Sequence, residues 1–256
     1  MFRAAITFLL LASTLLFSSE VKKIPILTYH RFGVEVSDSM TIKTASFASQ
    51  LEWLKLNGYT VIPLESAYAY LHGELKSLPA KPVVITVDDG HKSVYTQMAP
   101  LVKKYAIPVT LFIYPSAISN ASYAMKWEEL KELEATKLFH VESHTYWHPN
   151  FKHEKKRLSS EEYAKFVDKQ LRGAKEKLEE KMGHEVKYLA WVFGIYDDEL
   201  LEEAKKAGYK MAFTIDRKHA SSSDTMMAQG RYMVVSKHDI KAFENMVNGK
   251  EEKTTH

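Results

Sequence analysis

The chain has no cysteine among its 256 residues. Disulfides and thiolate metal ligation are therefore excluded, as is a lipid anchor attached at a cysteine cleavage site. Any metal must be held by His, Asp or Glu. Charge of one sign is scarce as well: 35 Lys and Arg against 32 Asp and Glu leave a formal net charge of +3. A nucleic-acid binder usually carries a concentrated basic face. The densest basic run, Lys155-Lys156-Arg157, sits beside Glu154, Glu161 and Glu162 and reads as a solvated, mixed-charge surface. No nucleic-acid partner is expected. Apolar stretches long enough to approach a membrane span are lacking beyond one N-terminal run, and no internal repeat or low-complexity segment is visible.

That single run begins after Arg3, extends from Ala4 to Phe17 and ends in Ser18-Ser19-Glu20. A positive start, a short apolar stretch and small residues before a polar switch describe a secretory signal peptide over residues 1–19. The alternative is a retained N-terminal anchor. Either reading makes the protein exported, periplasmic or secreted. A chain this long builds a core large enough to dispense with disulfides. Residues 20–249 then form one domain, and 250–256 a disordered tail.

From residue 24 the sequence alternates between two patterns. Short β-rich runs are Ile24–His30, Tyr59–Ile62, Val83–Val87, Val109–Ile113, Leu138–Val141, Tyr188–Val192 and Met211–Ile215. Segments with helical spacing lie between most of them. One is marked by Phe47, Leu51, Leu54 and Leu56 and ends at Asn57-Gly58. The others are Leu64–Leu71, Val94–Tyr105 (interrupted by Pro100), Trp127–Leu133, Ser160–Met182 and Asp197–Ala207. The long Ser160–Met182 segment has Ser159 or Ser160 as N-cap and Gly183 as its stop. Alternation of this kind predicts parallel strands joined by helical crossovers. About seven such units without a linker predict an α/β fold, a single distorted (β/α) barrel.

In such barrels chemistry gathers where strands end. The first strand ends in His30, the third in Asp88-Asp89-Gly90, and the fifth is followed by Ser143-His144. Two adjacent carboxylates after Val83-Val84-Ile85 repel, and burial raises the cost. A metal ion removes that conflict, one Asp coordinating while the other stays free as a base. Read alone, the stretch is equally an exposed Asp-Asp-Gly turn. His144 and His148 stand four residues apart, on one helix face or, with Pro149 following, in a tight loop. Neutral imidazoles with a carboxylate suit zinc or a similar divalent ion. Read alone, they are two loop histidines. Both pairs on neighbouring strand ends make a site.

Thr86–Gly90 together with His144–His148 resembles the first two motifs of the polysaccharide deacetylases, carbohydrate esterase family 4. The resemblance runs from about Ile24 to Val235. It includes Tyr29-His30-Arg31, the Phe47/Leu51/Leu54/Gly58 helix, Trp127-Glu128-Glu129-Leu130 and Ala207-Gly208-Tyr209. It implies a distorted barrel of about seven strands. It also implies that Asp89, His144 and His148 hold a divalent metal, zinc first, and that Asp88 is the base that takes a proton from the attacking water. The acid that protonates the leaving amine lies, in the family, in a Leu-x-x-His motif. Leu27-Thr28-Tyr29-His30 offers His30 at the first strand end, in a permuted arrangement; the competitor is His238 in Val235-Ser236-Lys237-His238.

The third motif departs from the family. Leu189–Tyr196 keeps Phe-Gly-x-Tyr but lacks the Arg and Pro that position the base and wall the groove. The usual fourth motif, an Asp beside a Trp, is not visible. Arg231 is a candidate for the missing cation, and the Phe193 backbone N–H for an oxyanion donor. Tyr146, Trp147, Trp191, Phe193 and Tyr196 either stack on sugar rings or pack the barrel. The resemblance implies a metal-dependent hydrolase removing N-acetyl groups from a GlcNAc polymer, either cell-wall peptidoglycan or exported poly-N-acetylglucosamine. The alternatives are an O-acetyl glycan esterase and a non-catalytic glycan-binding protein on a degenerate deacetylase fold. The expected partner is an acetylated amino-sugar polymer, with no membrane contact beyond the export signal or anchor.

Overall fold

The structure, a computed structural model, describes residues 22–250. The segment read as an export signal and the tail from residue 251 lie outside the described residues. No helix among the described residues is long and apolar enough to cross a membrane.

Eight short strands build the central sheet: β1 (Ile26–Tyr29), β2 (Thr60–Val61), β3 (Pro82–Asp88), β4 (Val109–Ile113), β5 (Phe139–Ser143), β6 (Tyr188–Ala190), β7 (Met211–Phe213) and β8 (Tyr232–Met233). Seven of them follow the order β7-β6-β5-β4-β3-β1-β8, and β2 pairs with the start of β3. Every pairing is parallel. The sheet curls, and one segment ties its two edges together. The Met226 carbonyl accepts from Ala212 N–H and the Gln229 carbonyl from Thr214 N–H, both at 2.8 Å, on the β7 edge. A few residues on, β8 pairs with β1 at the opposite edge. This is the distorted α/β barrel that the strand–helix alternation predicts.

Helices α1 (Thr44–Leu56), α2 (Leu64–His72), α3 (Ala99–Tyr105), α4 (Trp127–Ala135), α5 (Phe151–Arg157), α6 (Ser160–Met182), α7 (Asp198–Lys206) and α8 (Ile240–Val247) fill the crossovers and the C-terminal end. Local chemistry sets their limits. Ser159 caps α6, reciprocated by Glu162, and Gly183 ends it in the left-handed conformation. The predicted interruption near Pro100 is present: a wide-turn segment, Val94–Met98, precedes α3.

Three expectations need correction. The run Ile24–His30 is not one strand. Pro25 has no N–H, and the chain divides there: Lys23–Ile24 pairs antiparallel with Ala220–Ser221, and only β1 enters the barrel. Strand β8 went unrecognised because two residues carry no periodic signal. Helix α5, unassigned from sequence, carries the Lys155–Arg157 run read as a solvated, mixed-charge surface. It is a short helix whose Lys155 reaches Asp197 at 2.7 Å and Glu199 at 2.8 Å. The basic run is thus ion-paired surface, as its mixed charge suggested.

Strand parity sorts the core. Ile85, Val87, Leu111, Ile113, Val141 and Leu189 face outward and pack with the helices in one apolar cluster. Val84, Phe112, Ala190, Met211 and Phe213 form a second cluster inside the barrel. Side chains alternate with period two, so Thr86 and Asp88 share the inward parity of Val84. Asp88 therefore enters the barrel, and Asp89, just past the strand, turns onto its rim.

Candidate metal centre and active site

Asp89 leaves β3 with φ 77°, and Gly90 follows at φ 77°. A Cβ on Gly90 would stand 3.0 Å from both Ile113 Cδ1 and Ile118 Cδ1, so close packing as well as the left-handed turn requires glycine. The loop after β5 carries Thr145 at φ 66° and His148 at φ 62°, and Phe193 after β6 sits at φ 55°. Each non-glycine residue held there costs about 1–2 kcal/mol. Four of the seven such residues in the described chain surround one rim of the barrel, so the strain is concentrated where side chains must be aimed.

That strain converges three groups. The Asp89 Oδ1 lies 3.5 Å from His144 Nε2 and 3.4 Å from His148 Nε2. His144 is fixed by its other nitrogen, 2.8 Å from the Ala190 carbonyl, where Nδ1–H donates. Its Nε2 therefore faces a carboxylate oxygen. That oxygen is buried and has no hydrogen-bond partner. Burial and the neighbouring His144 push His148 down to about 4, against the pull of Asp89, so the His148 ring is neutral. Facing lone pairs without a proton between them repel. Two ligand atoms of a tetrahedral ion bound at about 2.1 Å stand roughly 3.4 Å apart. Donor set, spacing and the orphaned oxygen all fit a divalent cation. The pair resolves as a tight loop, the second of the two arrangements open from sequence.

Asp88 is buried inside the barrel and bound by a side chain distant in sequence. Arg231 Nη1 donates to Oδ1 and Nη2 to Oδ2, both at 2.8 Å, with neither residue exposed beyond 3%. Arg231 also donates to the Thr214 carbonyl and to the hydroxyls of Thr28 and Thr86. Its guanidinium lies 5.3 Å from the Phe112 ring and 5.8 Å from that of Phe213. Burial disfavours the Asp88 anion, but Arg231, with help from His144 and His30, overrides it and holds the carboxyl well below the usual range. The carboxylate stays charged and is held in one plane by a bidentate fork.

His30 stands at the end of β1 in the field of Asp88, Asp89, His144 and Arg231. Burial lowers its titration point, the two carboxylates opposing, and its Nδ1 is buried without a partner. The competing histidine turns elsewhere: His238 Nδ1 accepts from Val235 N–H within its own turn, at 3.1 Å. Trp191 is fully buried and donates from Nε1 to the Met227 carbonyl, so it belongs to the core. Trp147, Phe193 and Tyr196 are exposed, and the Phe193 ring packs edge-on to His148 at 4.8 Å. A groove of about 460 Å³ opens beside His148, lined by Tyr114, Ser116, Asn120, Tyr123 and Trp147. A larger cavity of about 790 Å³, lined by Lys23, Arg217, His219 and Tyr232 among others, includes none of these site residues.

Sequence reading overlooked the groove residues Tyr114 and Tyr123, the Ala190 carbonyl that orients His144, and the two threonines that brace Arg231. The inward parity of Thr86 with Asp88 was a usable signal. Nothing local marked the others.

Carboxylates and imidazoles thus gather on the C-terminal rim, where barrels of this kind place their chemistry. The family model for polysaccharide deacetylase matches residues 76–212, more than half of the chain. A poly-beta-1,6-N-acetyl-D-glucosamine N-deacetylase of Staphylococcus aureus (strain MRSA252) is 29% identical over 184 residues, covering 70% of this chain and 62% of that protein. The structure of IcaB from Ammonifex degensii superposes with a TM-score of 0.76 at 27% identity, covering 88% of this chain and 96% of that one. The Streptococcus pyogenes deacetylase PplD, solved with acetate, superposes with a TM-score of 0.77 at 23% identity, over 90% and 99% of the two chains. The chain belongs to the polysaccharide deacetylase family.

Proposed function

We propose that this protein is a divalent-metal-dependent N-deacetylase of a GlcNAc polymer. The observation that carries the reading is the orphaned Asp89 oxygen between two imidazoles, beside a buried carboxylate locked by arginine. Asp89, His144 and His148 would hold the ion, zinc first by their donor chemistry. Once held there, a divalent ion acidifies a water and polarises the acetamide carbonyl.

The chain's own residues supply the rest. Asp88 is ionised throughout the working range and accepts the proton of the attacking water. Arg231 occupies one direction on each Asp88 oxygen, which fixes the plane in which the remaining lone pairs point. His30, whose Nδ1 has no partner, would be the acid: it takes up a proton beside Asp88 and Asp89 and gives it to the departing sugar amine, returning to the neutral ring. The exposed faces of Trp147 and Tyr123 line the groove and suit stacking against sugar rings. The Phe193 backbone N–H is the candidate oxyanion donor. The missing third-motif Arg and Pro motivate the alternative of a degenerate binding protein; Arg231, on Asp88 from elsewhere in the chain, answers the arginine half of that objection.

The named activity of the Staphylococcus relative favours poly-β-1,6-N-acetylglucosamine over peptidoglycan as substrate. The N-terminal run supports export to the periplasm or medium. The test is acetate release from poly-β-1,6-N-acetylglucosamine, peptidoglycan, chitin oligomers and an O-acetylated glycan, each before and after chelation. Release from the first, lost with the metal and restored by zinc, is expected. Full activity after verified metal removal would overturn the mechanism; release from the O-acetylated glycan alone would make the enzyme an esterase.

A further inference from the structure

A second group of ligand-type side chains stands at the other end of β5. Glu134 at the end of α4, His140 near the start of β5 and His184 after α6 bring one ligand atom each within 4.8 Å of one another. The Glu134 Oε1 is 2.8 Å from His184 Nε2 and 3.7 Å from His140 Nδ1. The two imidazoles stack with centroids 4.3 Å apart. The 2.8 Å contact is a hydrogen bond, so an ion bound there takes the place of the proton between Glu134 and His184.

Each imidazole is held by its remaining nitrogen. His184 Nδ1 is 3.0 Å from the Glu185 carbonyl, which fixes Nε2 toward Glu134. His140 Nε2 is 3.2 Å from Glu142 Oε1. Glu142 is fully buried: its Oε2 accepts from Lys187 N–H and Tyr188 N–H, while Oε1 has no hydrogen bond of acceptable geometry. A buried carboxylate oxygen is therefore aimed at the back of the His140 ring. Carboxylate or carbonyl behind each imidazole, with the front nitrogens converging on a carboxylate, is how metal-bound histidines are oriented. Glu134 is itself positioned, accepting from Val141 N–H at 2.7 Å.

We propose that Glu134, His140 and His184 form a second divalent-metal site, suited to zinc, that fastens α4, β5 and the α6–β6 loop together. Ligand atoms of a tetrahedral zinc stand roughly 3.4 Å apart, so His184 retreats by about half an ångström and His140 advances by a few tenths. Glu142 then receives the His140 Nε2–H. The site is about 13 Å along β5 from the rim, four residues at roughly 3.3 Å each. Its role is structural, because no acid–base group like Asp88–Arg231 accompanies it.

The test uses zinc alone and the full chain with the rim ligands removed by Asp89→Ala and His148→Ala. Equilibrium dialysis of this rim-deleted chain is expected to find one zinc per molecule, and its Tm is expected to rise by several degrees at about a hundred times Kd. Adding His140→Ala, at a half-exposed position, should weaken binding by at least about tenfold. Adding Glu134→Gln, which keeps the acceptor for Val141, should do the same without disturbing the fold. No zinc on the folded rim-deleted chain would overturn the proposal. So would undiminished affinity in both added variants. Neither result depends on whether the rim site is catalytic.

Discussion

Strand β5 carries histidine near both ends, and the two ends differ in what surrounds it. At the rim, His144 is joined by His148 and Asp89; at the opposite end, His140 is joined by His184 and Glu134. Both trios pair two imidazoles with one carboxylate, and both contain an imidazole whose second nitrogen is tied to a backbone carbonyl. The rim alone adds a buried ionised carboxylate, an arginine locking it and a histidine whose Nδ1 is buried without a partner. It also concentrates left-handed backbone at non-glycine positions. Ligand groups alone suffice to hold an ion. Chemistry needs a base and an acid aimed at the same point, and only the rim gathers the candidates for both, Asp88 and His30.

The contrast is broken most directly by Asp88→Asn. Acetate release should fall roughly 10²–10⁴-fold while zinc content is unchanged, as metal analysis of the purified variant would show. Persistent turnover would remove the base from the rim and leave its two ends chemically alike. Next comes Arg231→Met, which strands a buried carboxylate. A loss of about 3–5 kcal/mol is expected, roughly 10 °C or more in Tm by calorimetry. A change within a degree would mean that the pair contributes little to the barrel.

His30→Ala should lower turnover about 10²-fold, with zinc affinity retained, whereas His238→Ala should leave the rate within about twofold. Equal losses in the two variants would reopen the choice of acid. The smallest effect belongs to the far end of β5. His140→Ala should lower the zinc-dependent Tm by a few degrees, about 1 kcal/mol, and move turnover less than any rim variant. A rate loss as large as that of His30→Ala would merge the two ends into one functional unit.

Much of this was legible in the residues themselves. Val109–Ile113 and Ser160–Met182 were read to the residue, because a β-branched, aromatic-rich run and a capped amphipathic segment carry strong local signals. Asp88, Asp89, His144 and His148 stood out because carboxylates and imidazoles end apolar strands there. Two-residue β8 and the division at Pro25 were not legible, since their partners lie some 200 residues away in sequence, Leu27 with Tyr232 and Ile24 with Ala220. Arg231 could be suspected from sequence as the missing cation but not placed.

The sequence by itself determined the class of fold, the motifs that carry family membership and the identity of the rim ligands, because each is written in a few consecutive residues. The tertiary structure decided which carboxylate Arg231 holds, which histidine stands among the acidic groups, and that Glu134, His140 and His184 meet at all. The Arg231 pairing depends on curling the sheet until its first and last strands adjoin, and the Glu134 trio on packing α4 and the α6–β6 loop against β5. Closure of that kind is a long-range packing event, and no local pattern encodes which side chains it brings within 3 Å.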